Sequence, residues 1–235
     1  MITSPHNEHL KEIRKLNQRR RARAQSRRFV AEGEDLLAAA DAAGWQPLER
    51  YCAAGSGLEG TEVEPKLLDA ASDLGSGTRT LAVYEERWAP AATGPLCVYL
   101  HGVHDPGNVG TILRSAEAFG AAAVAIGPGT ADPFGPKAVR ASMGAVFTVP
   151  LARAATLADL PGATVALDTG TDATPALETL ALTDVTLLIG AEREGLPADL
   201  IEACDHVARI PIVSHSLNAA MAATVALYEA SRMAR

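Results

Sequence analysis

Cysteine and aromatic residues are scarce in this sequence. Three cysteines in 235 residues, Cys52, Cys97 and Cys204, lie far apart and are odd in number, so they offer neither a disulfide framework nor a CxxC metal site. No apolar run approaches the roughly 20 residues that span a bilayer. The first 15 residues hold no apolar core of a secretory signal. The expectation is a protein of the reducing cytoplasm, with no membrane and no metal as partner. The phosphate fingerprints GxGxxG and GxxxxGK[ST] are missing as well, which weighs against a nucleotide-dependent oxidoreductase or an ATPase.

Positive charge is scarce except in one place. The net charge is −7, yet residues 1–28 carry nine of the 21 Lys and Arg and two of the 28 acids, leaving −14 on the rest. A basic arm on an acidic body suggests an anionic partner met mainly by the arm. Leu10, Ile13 and Leu16 recur at helical spacing within it, so residues 7–28 read as a short amphipathic helix running into a basic tail. Arg19, Arg20, Arg21, Arg23, Arg27 and Arg28 are candidate contacts to RNA phosphates, a binding mode that is strong but blind to sequence. Phe29 is the one aromatic nearby, which argues against base stacking by this arm.

Beyond the arm, residues 30–45 pattern as a helix ending at Gly44, 47–54 as a strand, 65–74 as a helix and 78–85 as a strand. Residues 87–95, rich in Ala, Pro and Gly, read as a linker, so a small substrate-binding domain over 1–88 and a catalytic domain over 95–235 are expected. From Leu96 onward continuous apolar strands alternate with helices: strands over 96–101, 121–126, 145–149, 164–167, 185–189 and 207–210, helices over 108–119, 136–143, 154–160 and 198–204. This predicts an α/β fold with a mostly parallel sheet covered on both faces, and ligands in the loops at the carboxyl ends of its strands.

Three of those loops carry the chemistry. In the first, Gly107 and Gly110 bracket Asn108 at a helix start suited to holding an anion, with Arg114 six residues on. In the second, a buried strand ends at Gly190, which allows close backbone approach to a ligand, and Glu192 is placed to hold an arginine such as Arg114. In the third, Pro211 leads to Ser216, Leu217 and Asn218 at the mouth of the last helix, with Ser216 as its cap. His101, His104 and His215 flank these loops, and structural or solvent-facing roles compete with substrate contact for each.

The motifs Asn108-x-Gly110…Arg114, Gly190-x-Glu192-x-x-Gly195-Leu196 and Ile210-Pro211…Ser216-Leu217-Asn218 resemble, in order and spacing, the three signature motifs of SpoU-type (TrmH-like) RNA ribose 2′-O-methyltransferases. DPFGPKAVRASMGAVFTVP (132–150) is similar to that family's linking segment, and the N-terminal stretch to the substrate-binding extension of one of its branches. The resemblance implies a C-terminal deep trefoil knot, S-adenosylmethionine as cofactor, a homodimer formed through the knotted domain, and an RNA substrate, ribosomal RNA before transfer RNA. It implies Arg114, Asn108, Glu192, Ser216 and Asn218 as catalytic residues, and cofactor contacts from Leu167, Asp168, Thr169, Ile189, Gly190, Ile210, Ser216 and Leu217. Arg114 is then either the base or the group that orients the neighbouring phosphate, and the first role demands a large fall in its pKa. A catalytically idle RNA-binding protein of the same fold is the contrasting possibility.

Overall fold

The computed structural model describes residues 1–74, 76–168, 175–180, 183–213 and 216–233. Thr169 and His215 lie outside the described residues.

The arm is not a loose tail. Helix α1 (Glu8–Gln18) starts at Asn7, whose side chain accepts from the His9 and Leu10 amides, and a second helix, α2 (Arg20–Ser26), follows the extended Arg19. Leu10, Ile13 and Leu16 are buried against Val30, Tyr51, Val63, Leu68, Leu81 and Val83, so α1 is a wall of the small domain's core. Arg27 closes α2 in the left-handed conformation (φ 55°).

Residues 30–32 are not helical. β1 (Arg28–Glu32) pairs antiparallel with β4 (Thr80–Glu85), and only after Gly33, at φ 101°, does helix α3 (Glu34–Ala42) begin. β2 (Glu49–Ala53), β3 (Thr61–Val63) and helix α4 (Pro65–Ala71) complete a four-stranded sheet of order β1-β4-β2-β3. The buried Glu32 carboxylate ties this domain together. It accepts from Asn17 Nδ2 at 2.7 Å, Ser72 Oγ at 2.8 Å and the Asp73 amide at 2.9 Å.

The second sheet comprises β5 (Leu96–Leu100), β6 (Ala123–Ile126), β7 (Leu151–Arg153), β8 (Ala163–Leu167), β9 (Val185–Ile189) and β10 (His206–Ala208). Its order is β10-β8-β9-β5-β6-β7, and every pairing is parallel. The chain leaves β5 in one direction and returns on its other side, so the switch point, where such sheets open a crevice, falls between β5 and β9. Helices α5 (Pro106–Ala118), α6 (Pro136–Ser142), α7 (Ala145–Thr148), α8 (Ala198–Glu202) and α9 (Ala219–Met233) connect or cover the strands. The apolar run 145–149, expected as a strand, is the short helix α7. Residues 154–160 hold one 3₁₀ turn (Leu157–Asp159) in place of a helix. A short apolar run has no period that separates a strand from a buried helix.

The few aromatics collect where the two sheets' domains meet. Phe29 packs against Phe134 with the rings tilted and their centroids 4.8 Å apart, and Trp45 stands edge-on to Phe147 at 5.2 Å while its Nε1 donates to the Phe147 carbonyl at 2.8 Å. Tyr84 completes the seam against Phe147 at 5.3 Å. The linking segment docks too, Ala89 N–H donating to the Leu151 carbonyl at 2.7 Å along the sheet edge.

Candidate active site

The loops after β5 and β9 meet at the switch point. The Asn108 side chain, in the first turn of α5, donates from Nδ2 to Glu192 Oε1 at 2.7 Å and accepts at Oδ1 from Asn218 Nδ2 at 3.1 Å. Asn218 Oδ1 in turn accepts from the Ala220 amide at 2.9 Å and the Met221 amide at 3.3 Å. Asn218, not Ser216, therefore caps α9, and a single polar chain joins all three loops. Its polarity is set by its ends. The Asn218 oxygen is held by helix N–H groups, so its nitrogen must donate onward; a flipped Asn108 would turn oxygen toward the Glu192 carboxylate.

Two other expectations change. Asp105 caps α5, accepting from the Gly107 amide at 2.5 Å and from Lys137 Nζ at 3.0 Å, so a carboxylate already occupies the expected anion site. The Lys137 ammonium first, then the Gly107 N–H, hold the Asp105 carboxyl below the usual carboxylate range. Gly110 serves packing: a Cβ there would stand 2.3 Å from the Ala138 carbonyl oxygen, where α6 crosses α5. At Gly190 the close approach is real, but the approaching backbone belongs to its own loop. A Cβ would meet Gly195 C at 2.3 Å and Leu196 N at 2.4 Å. The Ala191–Gly195 pair closes that loop with two amide-to-carbonyl bonds of 3.1 and 3.0 Å, and Gly195 turns at φ 70°.

A cavity of about 230 Å³ opens beside the polar chain. Leu167, Asp168, Ile189, Gly190, Ile210, Ser216 and Leu217 line it, which brings together every expected cofactor residue among those described. The motifs did not point to Ala191, Arg193, Glu194, Ile212, Ala219 and Ala222, also on its wall. Their signal was adjacency, since each lies within four residues of a motif position. Apolar walls stand beside three carboxylates, Asp168, Glu192 and Glu194, against one cation, Arg193, a balance that suits a ligand carrying both apolar surface and positive charge better than a polyphosphate. A larger space of about 670 Å³ lies against the far end of α9, lined by Leu177, Val225 and Arg232, and of the motif residues only Ile210 and Pro211 reach it.

Arg114 does not join the polar chain; Glu192 takes Asn108 instead. Six residues along α5, it stands roughly 9 Å further up the axis and about 120° around it, exposed to solvent. In the arm, Arg19, Arg20, Arg21 and Arg27 are exposed. Arg23 is not available to phosphate: it is 6% exposed, its Nε donates to Asp132 Oδ2 at 2.8 Å and its Nη1 to the Leu16 carbonyl at 2.5 Å. Arg28 is paired with Glu12 at 3.1 Å. His101 accepts or donates at 3.3 Å to the buried Tyr99 hydroxyl, and His104 lies exposed.

Comparison with known proteins agrees with this geometry. The SpoU rRNA Methylase family matches residues 95–228, and an MRM3-like substrate binding domain matches residues 7–89. An uncharacterised tRNA/rRNA methyltransferase of Mycobacterium bovis is 39% identical over 145 residues, 57% of this chain and 50% of that one. A 23S rRNA (uridine(2479)-2′-O)-methyltransferase of Streptomyces viridochromogenes is 38% identical over 142 residues, 54% of this chain and 49% of its own. The chain thus spans about half the length of both these curated relatives. Over nearly its whole length it superposes on the AdoMet-bound rRNA methyltransferase from Sinorhizobium meliloti, with a TM-score of 0.85 and 33% identity, covering 98% of this chain and 97% of that one. Because that family model matches residues 95–228, more than half of the sequence, the chain belongs to the SpoU rRNA methylase family.

Proposed function

We propose that the protein transfers a methyl group from S-adenosylmethionine to a ribose 2′-hydroxyl of ribosomal RNA. The observation that carries this reading is the Glu192–Asn108–Asn218 chain standing beside a cavity with apolar walls and carboxylate neighbours. S-adenosylmethionine supplies an electrophilic methyl on a cationic sulfonium. Leu167, Ile189, Ile210 and Leu217 give apolar walls for its adenosine, and Asp168 and Glu194 the opposite charge for its cationic groups.

The ribose hydroxyl must be oriented and its developing charge stabilised. Asn108 is held in one orientation by its two partners and positions Glu192 at the cavity rim. Arg114 keeps its proton and acts on the phosphate beside the reacting ribose, since guanidinium does not deprotonate at working pH. The protein acts as a homodimer that packs through residues 95–235. The exposed stripe Met221, Val225 and Tyr228 on α9, at helical spacing and opposite the helix's buried alanines, supports such an interface. In this reading residues 1–88 bind RNA through Arg19, Arg20, Arg21 and Arg27, residues 95–235 carry the knotted methyltransferase, and the protein works in the cytoplasm.

Tritiated S-adenosylmethionine offered with deproteinised ribosomal RNA, or with transfer RNA, tests this directly, followed by mapping of 2′-O-methyl sites. Incorporation at one ribosomal ribose, lost in Arg114→Ala with cofactor affinity kept, is the expected result. Incorporation into transfer RNA alone, or none, overturns the assignment.

A further inference from the structure

The carboxyl ends of the strands lie in one row. Leu100 pairs with Ile189 on one side and Ile126 on the other, and Ile126 pairs with Arg153. Arg153, last residue of the edge strand β7, is thus three strands from the end of β9. At about 4.8 Å per strand that is roughly 14 Å along the rim that holds Asn108 and Glu192.

Arg153 is exposed, and its guanidinium carbon lies 4.1 Å from the centroid of the Trp88 indole. Trp88 is itself anchored: Nε1 donates to Glu86 Oε2 at 2.9 Å, and the ring stands edge-on to Phe134 at 5.3 Å. A guanidinium held over a ring by cation–π attraction still has N–H donors for a second partner, and the contact removes part of the freedom it would lose on binding. Next to it, a groove of about 320 Å³ is lined by Arg20, His104 and Lys137 over the Arg23–Asp132 pair. Phe134, on which the Trp88 ring rests, donates its amide to Asp132 Oδ1 at 3.0 Å, and Asp132 lines the groove, so groove and stack adjoin. Beyond residue 28, where the net charge is −14, Arg153 and Lys137 stand exposed on this rim, Lys137 paired with Asp105.

We propose that Arg153, held over the Trp88 ring, grips a backbone phosphate of the RNA strand that runs past it and through the Arg20 groove to Asn108. This rests on the methyltransferase reading, and it adds a contact outside the N-terminal domain.

Filter binding of deproteinised ribosomal RNA across a salt series, alongside methyl-transfer kinetics, tests it with Arg153→Gln and Arg153→Lys. Arg153→Gln is expected to weaken RNA binding and raise KM about three- to tenfold, to lower the salt slope by about one, and to leave kcat and cofactor affinity within twofold. Arg153→Lys is expected to recover most of the binding. If Arg153→Gln lowers the melting temperature but leaves RNA affinity and salt slope intact, Arg153 is only a brace for Trp88 and the proposal fails. If wild type transfers no methyl group, the functional reading fails instead, and filter binding still decides the Arg153 contact.

Discussion

Asn108 reaches Glu192 across 84 residues of chain, its Nδ2 2.7 Å from Oε1. Nothing local brings them together; the parallel pairing of β5 with β9 does. Asn108→Ala removes the central member and leaves Glu192 and Asn218 without their shared partner. Because all three are at least partly exposed, water replaces the lost bonds and stability changes little. Methyl transfer is expected to fall on the order of 10²-fold, as for loss of one preorganised donor. Single-turnover rates and thermal melts on the same preparation check both halves.

Asn218 does two jobs, so its variants separate them. Asn218→Ala loses the polar chain and the cap of α9, and the missing cap costs about 1 kcal/mol. Asn218→Ser keeps a capping oxygen but has no amide to donate to Asn108. Its melting temperature is expected near wild type with activity still lost. Equal melting temperatures for the two variants would refute the cap.

Gly190→Ala forces a Cβ into the Gly195–Leu196 backbone, 2.3 Å from Gly195 C. The loop must shift, and the wall that carries Glu192 and Glu194 shifts with it. Calorimetric titration with S-adenosylmethionine is expected to show affinity reduced by at least about tenfold, a cost of roughly 1.4 kcal/mol. Unchanged affinity would mean the loop does not shape the cavity.

The Asp105 cap gives a pH dependence with a definite sign. Its folded-state pKa is lowered by Lys137 and the Gly107 N–H, so its stabilisation is fully present above the ordinary carboxylate range and is lost as pH falls through the lowered value. Asp105→Asn keeps a capping oxygen but not the charge. Melting temperatures followed from pH 6 to pH 3 should fall less steeply for this variant than for wild type. Parallel curves would show that the Lys137 pair contributes nothing measurable.

Burial pushes the Cys97 thiol up to about 11, and its Sγ faces the Thr93 and Gly94 carbonyls inside the main sheet. At pH 8 it is therefore protonated and inaccessible. Alkylation with iodoacetamide followed by peptide mass analysis should modify Cys97 only after unfolding. Modification of the native protein would place β5 at a surface.

The alternation of apolar strands and helices after Leu96 is legible because buried parallel strands are continuous apolar runs. The three motifs are legible as a set: the cavity gathers Gly190, Glu192 and Gly195 of the second and Ile210, Ser216 and Leu217 of the third, and hydrogen bonds tie Asn108 and Asn218 to Glu192. What stayed hidden depends on partners distant in sequence. Arg23 looks like one more basic residue until Asp132, 109 positions away, draws it inside. Residues 28–32 continue a helical-looking pattern, and only the antiparallel partner β4 and the positive φ of Gly33 make them a strand. Ser216 and Asn218 are equally good caps on paper; the asparagine wins because its amide also has Asn108 to bond.

The aromatic seam of Phe29, Trp45, Tyr84, Phe134 and Phe147 has a consequence for how a target is chosen. A sheet domain bolted through its ring systems cannot swing to meet its ligand. The interval from the exposed arginines of α2 to Asn108 is then a fixed span, like the jaws of a set calliper. Under the proposed function, an RNA is accepted when its own fold presents a ribose at that interval, and selection turns on the shape of the RNA more than on its bases.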